Sequence, residues 1–111
     1  MRTTVDTITA KIFVGLREGY SGKVHSLDEL KDIVQKRADR GGVCVTVTPT
    51  DYIYKHGREE GAIIGIINYP RFPFTRKQVE ELAEELAILC KDAFKQERVS
   101  IEYPDKTVML E

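Results

Sequence analysis

Residues 43–73 read VCVTVTPTDYIYKHGREEGAIIGIINYPRFP. Val43, Val45 and Val47 alternate with Cys44, Thr46 and Thr48, the period-two signature of a strand. Carried through Pro49, the same extended path adds Thr50, Tyr52 and Tyr54 to a stripe of small and hydroxyl side chains on one face. Proline cannot donate to a ladder, so this strand is expected to be an edge or to bulge there. Residues 55–61 are polar and punctuated by Gly57 and Gly61, and are expected to reverse the chain. Residues 62–69, AIIGIINY, are apolar on both faces, as a central strand is. Residues 69–74 cannot be helical, because each proline restricts itself and the residue before it.

Upstream, residues 8–16 place Ala10, Ile12, Val14 and Leu16 on one face and Phe13 and Gly15 on the other, a first strand whose second face is not cleanly polar. Residues 1–7 are polar and expected to fray, and residues 17–25 form a loop. Ser26 and Glu29 then read as a capping box, followed by Leu27, Leu30, Ile33, Val34 and Ala38 at helical spacing and a Gly41-Gly42 stop. Downstream, Thr75 and Gln78 cap a second helix, with Phe74 and Val79 placed as a hydrophobic staple. Its apolar stripe is Val79, Leu82, Ala83, Leu86, Leu89, Cys90, Ala93 and Phe94. Val99, Ile101 and Tyr103 mark a fourth strand, and residues 107–110 a short fifth after a Pro104 turn.

The order strand, helix, strand, strand, helix, strand predicts an α+β class protein. It is a single domain built as a ferredoxin-like βαββαβ sandwich: an antiparallel four-stranded sheet, two helices on one face, and a short C-terminal extra strand. Both central strands are apolar on both faces, yet only one face has helices to cover it. Another copy of the chain is the expected cover, so self-association as a dimer or trimer is predicted. The fifth strand is expected to cover part of that face or to pair with a neighbour's sheet edge.

Composition narrows the partners. Seventeen Lys and Arg against 18 Asp and Glu leave a formal net charge of -1. That balance gives no overall drive toward nucleic acid or an anionic membrane. Cys44 and Cys90 show neither a CxxC pair nor zinc spacing, and both read as small core hydrophobes. No metal or cofactor is expected, and the absence of a signal core or a long apolar run makes a cytoplasmic setting the default.

The topology also sorts the loops. Loop 17–25, the start of the first helix and the tip of the hairpin share one end of the sheet. That end gathers Arg17, Tyr20, Lys23, His25 and both glutamates 59 and 60, with Tyr52, Tyr54, His56 and Arg58 from the hairpin. A helix N-terminus beside them favours an anion, and the tyrosines offer rings to stack on. Polar loops are rich in such residues on their own account, and the glycine spacing GxxxGxxG matches no nucleotide fingerprint. Thr48 and Thr50, with the tyrosines, are candidates to line a pocket at a subunit interface; good strand propensity is the plainer account. Asn68 must find partners if its face is buried. Arg71, between two prolines, is either a rigidly mounted anion ligand or part of a loop that merely redirects the chain.

Three functions fit these residues. The leading one is a non-enzymatic, homo-oligomeric protein that binds a small anionic, nucleotide-derived ligand near the loop after the first strand and the hairpin, as a sensor or sponge. The others are a small oligomeric enzyme with His25 or His56 as acid or base, and an adaptor that binds another protein through the open sheet face. In order of elements the chain resembles the PII-type signalling proteins, ferredoxin-like trimers that hold nucleotides between subunits beside a long loop joining the second and third strands. The resemblance is one of architecture alone: the loop signatures of that family are absent, and a shared fold does not by itself imply a shared function.

Overall fold

The computed structural model describes residues 1–19 and 21–111. Their order is β1 (Thr9–Gly15), α1 (Leu27–Asp39), β2 (Val45–Tyr54), β3 (Gly57–Ile67), α2 (Arg76–Ala93), β4 (Val99–Glu102) and β5 (Thr107–Leu110). The five strands form one antiparallel sheet in the order β2-β3-β1-β4-β5. This is the predicted ferredoxin-like sandwich plus an extra strand. β5 extends the chain's own sheet beyond β4 and does not fold over the open face.

Alternation along β1 and β3 builds the core. Ala10, Ile12, Val14, Ala62, Ile64 and Ile66 point to the helices and are all within 1% of complete burial. Leu30 and Val34 from α1, and Val79, Leu82, Leu86 and Cys90 from α2, close over them. Each large side chain so buried contributes about 1.5–3 kcal/mol. Burial pushes the Cys90 thiol up to about 12, which leaves it a packing group.

Cys44 is exposed instead of buried, because Val43, Val45 and Val47 take the inward positions of that stretch and the residue between them must face out. Leu89 also leaves the core: it is 39% exposed beside Ile88, and Ala87 takes the inward place. Thr75 and Gln78 form the full capping box, whereas at α1 the Ser26 hydroxyl accepts from the Glu29 N–H and the Glu29 carboxylate makes its closest contact with His25. Gly41 and Gly42, at φ 101° and 76°, make the turn that only glycine takes without strain.

The hairpin is longer and its tip tighter than the polar composition of residues 55–61 suggests. Pairing runs from Val45 opposite Ile66 to Tyr54 opposite Gly57, unbroken through Pro49, which lies on the free edge of the sheet. Only Lys55 and His56 turn the chain, with His56 at φ 62°. β1 reaches no further than Gly15 opposite Gly61. Residues 51–60 therefore project as a two-stranded arm, which accounts for the elongated extents of 50 × 29 × 24 Å. Among the described residues, no helix is long and apolar enough to cross a membrane.

Candidate functional site

The arm has two faces with different surroundings. Register puts Tyr52 opposite Glu59 and Tyr54 opposite Gly57 on the face away from the helices, in line with Thr46, Thr48 and Thr50. The Tyr52 ring lies over Gly61, where a Cβ would also collide with the Val14 carbonyl oxygen. Its hydroxyl is shared between the carbonyls of Ala62, at 3.0 Å, and Val14, at 3.3 Å. Burial pushes the Tyr52 phenol up to about 12, so it stays a neutral donor. Tyr52 thus braces the root of the arm against β1.

The other face of the arm looks toward loop 17–25 and the start of α1. There Asp51, Arg58 and Glu60 stand across from Arg17 and Val24, lining an open groove of about 470 Å³. A second groove of about 360 Å³ shares Asp51 and Glu60 and continues past His25, Ser26, Leu27 and Thr50. Volumes of this order suit a small organic ligand. Backbone bonds fix the walls: Leu16 N–H donates to Glu60 O, His25 N–H to Leu16 O, and Glu18 N–H to Lys23 O. Arg17 and Val24 pair as an isolated bridge, so the loop is itself a small hairpin. Arg17, Asp51, Arg58 and Glu60 make no side-chain hydrogen bond or ion pair among the described residues. The groove therefore presents two charges of each sign that the fold does not use.

Behind the groove wall lies a cluster in which His25, only 8% exposed, bridges two carboxylates. Its Nδ1 is 2.6 Å from Glu29 Oε2 and its Nε2 is 2.8 Å from Glu18 Oε1. Ser21 donates to the other oxygen of Glu18 at 2.7 Å, and the imidazole packs against the Phe94 ring at 4.9 Å between centroids. Hydrogen bonding to Glu29, then to Glu18, raises the His25 pKa above the usual 6.5. The Ser21 hydroxyl, followed by His25, lowers that of Glu18, and His25 lowers that of Glu29.

The expected site residues thus divide. Arg17 and Arg58 line the first groove, His25 lines the second, which Thr50 borders from a strand position whose alternation belongs to the opposite face, and Lys23 lies exposed on its loop. Tyr20 falls outside the described residues. Thr48, Tyr52 and Tyr54 face the open side of the sheet, and His56 caps the arm's tip. Asn68 and Arg71 lie at the opposite end. There the Asn68 amide donates to Asp6 O at 2.9 Å and accepts from Phe74 N–H at 2.6 Å, while Arg71 is exposed with its guanidinium 5.9 Å from the Phe72 ring centre. Asp51 and Glu18 were not singled out by sequence. The alternation that places Tyr52 on one face places Asp51 on the other, which is the signal that locates it. Among the described residues, no group of three or more His, Cys, Asp or Glu is arranged to hold a metal.

No protein-family model and no curated protein matches the sequence. Among solved structures, a phage SAM lyase in its apo state superimposes with a TM-score of 0.78 at 21% identity, over 99% of this chain and 94% of that one. A phage SAM lyase in complex with S-methyl-5'-thioadenosine superimposes with a TM-score of 0.72 at 20% identity, over 99% and 93%. At such identity the likeness is one of fold.

Proposed function

We propose that this chain binds an adenosine-derived small molecule in the groove between loop 17–25 and the hairpin arm, and cleaves a sulfonium of that class. The observation that carries the reading is the set of unused charges, Arg17 and Arg58 with Asp51 and Glu60, around one open groove. A purely anionic ligand would leave the two carboxylates opposed. A ligand with both signs, such as S-adenosylmethionine, offers its carboxylate to an arginine and its ammonium or sulfonium to Asp51 or Glu60. The fold shared with phage SAM lyase, one example of which holds S-methyl-5'-thioadenosine, supports that ligand class.

Release of S-methyl-5'-thioadenosine from such a substrate breaks the bond between sulfur and the amino-acid side chain. The sulfur keeps the bonding pair and leaves as a neutral thioether. The bond breaks in concert with its replacement: either the substrate's own carboxylate oxygen bonds to the carbon that sulfur leaves, closing a lactone, or a groove carboxylate, Asp51 or Glu60, takes a proton from the adjacent carbon and leaves an alkene. His25 is a poor base for this step, since both ring nitrogens already face carboxylates. That engagement favours, as a second reading, a sponge that binds the same ligand without turnover.

Incubation with S-adenosylmethionine and chromatography for S-methyl-5'-thioadenosine separates the two. Product formed by the parent chain and lost in Asp51→Asn or Glu60→Gln supports a lyase; thermal stabilisation without product supports the sponge. Neither product nor stabilisation by any adenosine compound would overturn both readings. We further propose that copies associate through the open sheet face, where Phe13 and Ile63 are half-buried and Ile67 and Met109 are 44% and 51% exposed. Native mass spectrometry showing only monomer at micromolar concentration would refute this.

A further inference from the structure

We propose that His25 is a positioning residue of the groove: held as an imidazolium between Glu18 and Glu29, it ties loop 17–25 to the first turn of α1, and its deprotonation frees the wall that carries Arg17 and Val24.

The argument begins with donors and acceptors. An ionised carboxylate only accepts, and a neutral imidazole has one N–H to give. With Glu29 Oε2 at 2.6 Å from one nitrogen and Glu18 Oε1 at 2.8 Å from the other, a neutral ring would set one lone pair against a carboxylate oxygen. Only the doubly protonated ring donates both ways. Burial opposes that charge, but the two carboxylates outweigh it, in keeping with the raised pKa of His25 and the lowered pKa values of both partners.

Position turns this charge state into a mechanical one. Glu18 belongs to the small hairpin of the loop, and Glu29 to the first turn of α1. His25 joins them across seven residues on one side and four on the other. Among the described residues, the remaining hydrogen bonds from the loop to the body are backbone bonds at its root and the Gln96 amide donating to Arg17 O at 2.8 Å. Other groups face the cluster from every side. Ser21 and Lys23 lie on the loop, Lys95 follows α2 and lowers the Glu18 pKa, and Asp51 and Glu60 look across the groove that His25 lines. Lys23 and Lys95 moderate the negative charge around His25 without contacting it, so they do not replace it as the bridge.

The sign of the pH response follows. The His25 contribution is complete below the ordinary histidine range and is lost as pH rises through its raised pKa. The contributions of Glu18 and Glu29 are present above the ordinary carboxylate range and are lost as pH falls through their lowered values. The tie is therefore closed between those limits and opens on the alkaline side without unfolding the sheet.

The affinity arm of the test rests on the ligand reading given above; the titration arm does not. In a His56→Gln background, NMR of the imidazole ring follows His25 alone, while amide protection factors follow residues 17–25. The expected result is an imidazolium that persists above the pH at which free histidine titrates, with loop protection falling as it deprotonates. Glu18→Gln and Glu29→Gln should each bring the titration down. S-methyl-5'-thioadenosine, which has no group titrating in this range, should bind about tenfold more weakly above the transition, with the pH dependence absent in His25→Gln. A His25 that titrates like free histidine, that ignores both glutamine variants, or whose deprotonation leaves loop protection unchanged overturns the proposal. A high titration with coupled loop opening, but no binding of any adenosine compound at any pH, upholds the positioning role and overturns the ligand reading.

Discussion

Both ends of the sheet carry polar residues, yet they differ in the charge they leave beside a groove. At the end holding Pro70 and Pro73, Asn68 joins three segments, bonding Asp6 in the N-terminal stretch and Phe74 before α2 from its own place after β3. A groove of about 350 Å³ lies there too, but Asp6 is the one charged residue among its described lining. At the arm end Tyr52, Gln96 and the His25 cluster are bonded within the fold, but Arg17, Asp51, Arg58 and Glu60 have no side-chain partner among the described residues. A polar side chain consumed by the fold reports stability; one left unspent beside a cavity reports function.

That contrast can be broken most severely from beneath the arm end. Phe94 is 1% exposed and supports both the core and the His25 ring, so Phe94→Ala should cost about 3–5 kcal/mol in urea unfolding. Hydrogen exchange should show loop 17–25 losing protection before the proline end. Gly61→Ala comes next: its Cβ meets the Val14 carbonyl and the Tyr52 ring, and a loss of about 1–3 kcal/mol is expected from the crowding. Asn68→Ala should cost about 1–2 kcal/mol because it leaves the Phe74 N–H without its partner. Ligand binding measured by calorimetry should be unchanged, and weaker binding in that variant would contradict the division between the ends. Smallest in stability is Arg58→Ala, expected to lie within about 0.5 kcal/mol of the parent. The same variant should abolish thermal stabilisation by S-adenosylmethionine, and a retained response would remove the arm from the site.

Much of this was legible in the residues. The alternation of Ala10, Ile12, Val14 and Leu16, the Thr75 and Gln78 cap and the two-faced apolar run after Gly61 each state a local rule that tertiary packing then obeyed. Residues 57–60 escaped because Gly-Arg-Glu-Glu has no strand propensity; they are extended only through pairing with Asp51 to Tyr54. The site was half legible for a related reason. Topology brings Arg17, His25 and Arg58 to one end, but which face of the arm meets the loop depends on register, and so Asp51 was passed over while the tyrosines were favoured. The His25 bridge needs Glu18, seven residues away around a turn, and no helical or strand period connects them.

Pro49 has a consequence for the protein in a crowded solution. It sits halfway along the ten-residue outermost strand, paired inward with Ala62 and flanked by solvent on its other side. A foreign strand laid along that border would find no N–H at Pro49, and would meet the exposed Asp51 carboxylate two residues on. Lateral templating into fibres is therefore interrupted at its longest available surface. Pro49→Val should leave the fold intact while shortening the lag of aggregation followed by light scattering.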